Sequence, residues 1–200
     1  TKDILVISDE IYEKLLFGDA KHISIAALDA NVKEKTVVVN GLSKAYAMTG
    51  WRLGYAAGPR EVIDAAAKLQ SHTTSCAVSF VQAAGAAALR SGEAFLPAWM
   101  KELNERRDLV LRGLGAIPGV SCTAPEGAFY VFPRVDRLMA GSGGATGRTF
   151  RSTIELSEFI IEKAHVAVVP GEAFGSSRHI RMSFETSKEK LQEAVSRLTE

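Results

Sequence analysis

Brief apolar runs and stretches of helical period alternate along this chain. Residues 4–7, 36–39 and 53–57 are short, apolar and in part β-branched or aromatic, which predicts three strands, each ending in polar or glycine-containing sequence. The first, Ile4-Leu5-Val6-Ile7, shows no polar alternation, the mark of a parallel strand with neighbours on both sides and helices on both faces. Helical spacing follows over 60–71, where Val62, Ile63, Ala66 and Leu69 share a side, and over the alanine-rich stretch 78–90. Over 94–114 the apolar positions Leu96, Trp99, Met100, Leu103, Val110 and Leu114 recur at helical period, in a helix long enough to join two domains.

Beyond Pro118-Gly119 the period changes. Residues 120–123 and 128–133 predict strands of a smaller sheet, and a helix over 152–164, strands over 166–169 and 179–184 and a closing helix from Ser187 complete the pattern. Gly141-Ser142-Gly143-Gly144 has no strand before it and no Lys-Ser or Lys-Thr after it, so it reads as a flexible loop rather than a phosphate loop. The alternation predicts an α/β part with a mostly parallel sheet over 1–105 and a smaller α+β part over 106–200.

Composition narrows the functional classes. Hydrophobic residues make up 46% and charged residues 24%, the balance of a soluble globular protein. Twenty-four basic against twenty-three acidic residues leave a formal charge of +1, which writes no footprint for nucleic acid or an anionic membrane. No apolar run approaches the roughly 20 residues that span a bilayer. Cys76 and Cys122 lack any C-x-x-C spacing and read as free thiols in a reducing cytoplasm, and the four histidines show no metal-ligand spacing. The chain has no initiator methionine and enters its first apolar run almost at once, so further sequence upstream is expected.

In open α/β sheets ligands gather at the carboxyl ends of the strands, which here are Asp9, the turn Asn40-Gly41-Leu42-Ser43-Lys44, and Gly58-Pro59. Taken singly, each candidate has a plain structural reading: a helix cap for Asp9, a half-buried core ring for Tyr12, a solvated side chain for Lys44, a surface residue with a buried stem for Arg181. A serine nucleophile with a lysine base is disfavoured, because the serine-x-x-lysine pattern and its companion motifs are absent.

Together these residues tell more. The segment Ser43-Lys44-Ala45-Tyr46-Ala47-Met48-Thr49-Gly50-Trp51-Arg52-Leu53-Gly54-Tyr55 resembles the lysine motif of class I and II aminotransferases. Asp9-Glu10-Ile11-Tyr12, 35 residues before the lysine, resembles that family's aspartate and tyrosine pair, and His179-Ile180-Arg181-Met182-Ser183-Phe184 its arginine-bearing strand. The resemblance implies pyridoxal 5'-phosphate as cofactor, held by Lys44 as a Schiff base, with Asp9 on the pyridine nitrogen and Tyr12 on the phenolic oxygen. Arg52, eight residues after Lys44, would hold the phosphate, and Arg181 the substrate α-carboxylate. The chemistry suits the residue types: an amine forms an imine only when deprotonated, so an ordinary lysine pKa of about 10.4 must be lowered by nearby cations or poor solvation. A guanidinium offers the planar fork that a phosphate or carboxylate accepts at two points.

The resemblance further implies the C-terminal half of a fold type I enzyme, comprising part of the large cofactor-binding domain and a small α+β domain. It implies a homodimer acting on an L-amino acid, with a lean towards aspartate, and a 2-oxo acid. A phosphate loop, a stacking aromatic ring, an asparagine and a partner-subunit tyrosine would lie in the other half, so the 200-residue chain alone is expected to be inactive. Turns at 125–130 and 170–175 are similar to family turns bordering the substrate entrance. Two departures stand out: Gly41 occupies the position three before the lysine where many relatives carry serine, which shifts phosphate binding towards Ser43 and backbone amides, and Ser71-His72-Thr73-Thr74-Ser75 replaces a second arginine of some dicarboxylate-specific relatives. The same scaffold also supports lyases and decarboxylases, and aminotransferase-like domains serve as effector modules of transcription regulators.

Overall fold

A computed structural model describes residues 4–91, 93–141 and 147–199. Its contacts divide the chain into two units, one up to Trp99 and one from Met100 onward. No described helix is long and apolar enough to cross a membrane.

The first unit is built on a sheet of β1 (Val6–Asp9), β2 (Thr36–Gly41) and β3 (Gly54–Ala57), in that spatial order. β1 runs parallel to β2, with Val6 opposite Thr36 and Asp9 opposite Val39. β3 runs antiparallel to β2, with Val38 opposite Ala57 and Gly41 opposite Gly54. Between β1 and β2 a long excursion ends in a 3-10 turn at Ile25–Ala27 and the short α1 (Ala30–Lys33), whose N-terminus is capped by Asp29 accepting from Asn31 N at 2.8 Å. Two helices, α2 (Arg60–Thr73) and α3 (Ser79–Ser91), follow.

The antiparallel direction of β3 corrects one expectation. Gly58-Pro59 was placed with the site as the carboxyl end of a strand, yet a Cβ on Gly58 would lie 3.0 Å from Thr36 O, at the amino end of β2. Residues preceding β3 occupy the site end instead. The first run also differs from its reading: the strand begins at Val6, and Leu5 and Ile7 are 72% and 77% exposed. Among the described residues β1 pairs with β2 alone, and a parallel strand is buried only when neighbours and helices cover it.

The division between units falls within α4 (Leu96–Gly115). Its buried residues Leu103, Val110 and Leu114 recur at helical period along one stripe. The second unit holds a sheet ordered β4 (Tyr130–Val131), β6 (Ile180–Ser183), β5 (Val169–Pro170), antiparallel throughout, with α5 (Asp136–Met139), α6 (Thr153–Ala164) and α7 (Lys188–Thr199). Ser152 caps α6 by accepting from Glu155 N at 3.2 Å, and His165 closes it in the left-handed conformation at φ 55°. Strands expected over 120–123 and 128–133 narrow to β4 and the bridge Ser121 to Arg134, and the one expected over 166–169 to β5. Pro133 and Pro170 bring no N–H to a ladder, which shortens the pairing. Positions 142–144 of the glycine-rich loop lie outside the described residues.

Candidate functional site

Backbone pairing brings the candidate residues of the first unit to one edge of its sheet. The parallel ladder continues past β1, with Glu10 N donating to Val39 O at 2.9 Å, so Asp9 stands beside the carboxyl end of β2. Asp9 is exposed, and its Oδ1 accepts from Ile11 N at 3.2 Å, the cap-like contact its plain reading predicts. That contact opens the turn carrying Tyr12, whose carbonyl accepts from Leu15 N at 2.9 Å.

After β2 the chain coils through Leu42 to Met48. Leu42 O accepts from both Tyr46 N (3.2 Å) and Met48 N (3.3 Å), and Ala47 takes a left-handed φ of 52°. Buried Leu42 and Ala45 anchor this turn on either side of half-buried Ser43 and Lys44. Lys44 Nζ lies 5.9 Å from the centroid of the Tyr12 ring. A Cβ on Gly41 would come within 2.9 Å of Leu53 O and 3.0 Å of Gly54 Cα, so the close approach of β2 and β3 closes that position to a serine in this backbone.

Arg52 follows the 3-10 turn Thr49–Trp51 in the left-handed region, at φ 54°, and its Nη1 donates to Thr49 O at 2.8 Å. Because β3 is antiparallel, this residue precedes the strand at the same end as Lys44, with Leu42 N donating to Leu53 O at 3.3 Å. Arg52 borders a cavity of about 910 Å³ that is also lined by Trp51, Gln70, Cys76 and Phe80.

Arg181 belongs to the second unit. On β6, Ile180 and Met182 are buried and Arg181 alternates to the other face. Its guanidinium carbon lies 4.4 Å from the Tyr130 centroid and 4.3 Å from that of Phe174, so the cation rests against two aromatic rings. Phe174 is placed by the 3-10 turn Gly171–Phe174, where a Cβ on Gly171 would meet His179 O at 2.1 Å. Glu172 secures this turn to α6, accepting from Thr153 N at 2.9 Å and from the Thr153 hydroxyl. Arg178, the neighbouring arginine that could compete for this role, lies before β6 and is exposed.

Sequence reasoning missed Glu10. This carboxylate is 6% exposed and gathers Ser8, His22 and Ser24 around it. Burial pushes its pKa up, but hydrogen bonds from Ser24, His22 and Ser8 outweigh that and hold it below the ordinary glutamate value. Potential ligand atoms of Glu10, Glu13 and His22 lie within 4.8 Å of one another, although His22 Nε2 is already engaged with Glu10 at 3.0 Å. Only the acid adjoining Asp9 was a local signal, since its partners His22 and Ser24 sit 12 and 14 residues away. Of the thiols, Cys76 is exposed, and burial pushes the Cys122 thiol up, away from nucleophilic use.

Comparison with known proteins places the chain among relatives. The family model for aminotransferase class I and II matches residues 1–198. An aspartate aminotransferase of Rhizobium meliloti (strain 1021) is 44% identical over 98% of this chain and 47% of its own length. A crystal structure of the aspartate aminotransferase from Rhizobium meliloti superposes with a TM-score of 0.89 at 42% identity, over 98% of this chain and 48% of that one. An aromatic aminotransferase from Pyrococcus horikoshii OT3 gives 0.87 at 41% identity, over 98% and 50%. The chain thus spans about half the length of the relatives it matches.

Proposed function

Since the chain belongs to the class I and II aminotransferases, we propose that it carries the cofactor-holding and substrate-gripping residues of an enzyme that transfers an amino group from an L-amino acid, aspartate in the first instance, to a 2-oxo acid. The cofactor of this family is pyridoxal 5'-phosphate. One observation carries the reading: an amine 5.9 Å from a phenol ring shares its sheet edge with a carboxylate and a guanidinium, a donor set that fits a phosphorylated pyridine aldehyde.

In this reading Lys44 attaches the cofactor and afterwards moves the proton at the substrate α-carbon. Asp9 keeps the pyridine nitrogen protonated, Tyr12 hydrogen-bonds the phenolic oxygen, and Ser43 and Arg52 hold the phosphate. When bound, the cofactor supplies the electron sink for the carbon that loses its proton. Arg181, steadied between Tyr130 and Phe174, takes the α-carboxylate in a two-point grip. The proposal includes residues 1–105 as the later part of the large domain and 106–200 as the small domain, and a cytoplasmic homodimer. The aspartate preference is supported by relatives bearing that name, while one structural neighbour is named for aromatic substrates.

The test is borohydride reduction of the whole native gene product after incubation with pyridoxal 5'-phosphate, followed by peptide mapping. The expected product carries the cofactor on Lys44, and Lys44→Ala abolishes both labelling and transamination of aspartate. Label on another lysine overturns the proposal, whereas robust transamination by the 200-residue chain alone overturns only the expectation that the chain is inactive without its other half.

A further inference from the structure

Among the described residues Glu10 is the one buried side chain with a full charge, and it sits in sequence between Asp9 and Tyr12. A carboxylate tolerates burial only when its oxygens are hydrogen-bonded. Here Oε1 accepts from Ser24 Oγ at 2.7 Å and Ser8 Oγ at 3.1 Å, while Oε2 faces His22 Nε2 at 3.0 Å. Ser8 lies on β1, whereas His22 and Ser24 belong to the returning end of the excursion that leaves the sheet after Asp9. One side chain therefore ties the departure of this loop to its return.

The backbone transmits that tie. Glu10 N is fixed to Val39 O at 2.9 Å, Glu10 O accepts from Glu13 N at 3.0 Å, and the turn that follows presents Tyr12 before Leu15 and Phe17 plunge into the interior at 0% and 4% exposure. With its oxygens engaged by these three partners, the Glu10 carboxylate acts on its neighbours through the loop.

We propose that Glu10 is a positioning residue of the cofactor site: clamped by Ser8, Ser24 and His22, it holds the loop between Asp9 and Ser24 closed and so sets the directions of the Asp9 carboxylate and the Tyr12 phenol. The inference rests on the roles given above to Asp9, Tyr12 and Lys44. Glu10→Gln keeps the shape but sets an amide N–H against a ring of donors; Ser24→Ala removes only the 2.7 Å contact. Loss of one partner of a buried hydrogen-bonded charge predicts cofactor binding about tenfold weaker in Glu10→Gln and about threefold weaker in Ser24→Ala.

The measurements, on the native gene product, are the cofactor dissociation constant by absorbance titration, the pH midpoint of the bound cofactor's visible absorption, and the melting temperature of the cofactor-free protein. A positioning role weakens binding and moves the midpoint. A merely structural role lowers the melting temperature and leaves both cofactor readings at wild type, which overturns the inference. If Glu10→Gln does not fold, Ser24→Ala decides by the same criteria. Wild-type protein that fails to take up cofactor at Lys44 brings down the functional reading itself, whereas wild-type uptake at Lys44 with unaltered variants brings down this inference alone.

Discussion

From Met100 onward, Leu103, Val110, Phe129, Leu156, Met182 and Phe184 pack from helices and sheet into a shared interior, each less than a tenth exposed. Up to Trp99, Leu5, Ile7, Leu69 and Phe80 are 67% to 77% exposed, and the buried apolar side chains among the described residues are Leu15, Phe17, Leu42, Ala45 and Val81. Four of those lie beside candidate chemistry: Leu42 and Ala45 bracket Lys44, and Leu15 and Phe17 follow Tyr12. Within these 200 residues, which span about half the length of the relatives matched, the second unit packs its apolar residues into a core, whereas burial in the first is concentrated beneath its functional turns.

The sharpest challenge to this contrast is core truncation. Phe184→Ala and Leu103→Ala are expected to cost about 3–5 kcal/mol in urea unfolding, through lost burial and the cavity left behind. Phe80→Ala and Leu5→Ala should stay within about 0.5 kcal/mol in the 200-residue chain, the usual range for surface positions. Comparable losses in both sets would erase the distinction.

Acid separates the units less strongly. In the first, hydrogen bonds to Glu10 overcome its burial; in the second, the Thr153 side chain chiefly holds Glu172 below the ordinary carboxylate value. A folded pKa below the unfolded value of 4.5 means that the stabilisation is complete above that pH and is lost as pH falls through the folded value. Trp51 lies in the first unit and Trp99 on α4, where the division falls, so in a Trp99→Phe background the remaining fluorescence reports on the first unit. Glu10→Gln should flatten the acid limb seen by fluorescence; Glu172→Gln should flatten that seen by circular dichroism and leave fluorescence unchanged.

The smallest expected effect is at the surface of the second unit, where Lys188 joins Glu102 at 3.3 Å and also Glu105. Lys188→Ala should lower the melting temperature slightly at low ionic strength. The difference should vanish near 1 M salt, where the screening length is about 3 Å. A loss that persists in high salt would mean that the lysine stem, and not its charge, is what α4 and α7 share.

Local pattern made several features readable in advance. Strand 36–39, the helix over 152–164 and the stripe of α4 are set by residues close together in sequence, and the spacing of Asp9, Tyr12, Lys44 and Arg52 pointed to their family. Gly58-Pro59 was misplaced because three short apolar runs look alike whichever way each strand points. The Glu10 clasp was invisible because a glutamate next to an aspartate carries no sign that a histidine and a serine will return to it.

By itself, then, the order of residues determined the family, the periods of the elements and the identities of the amine, carboxylate, phenol and guanidiniums, because side-chain chemistry and short-range periodicity are properties of neighbours in the chain. Only the tertiary structure decided that β3 runs antiparallel and carries Arg52 to the edge of Lys44, that Arg181 lies between two rings, and that Glu10 is buried. Those outcomes depend on pairing and packing between segments far apart in sequence, whose free energies no local pattern records.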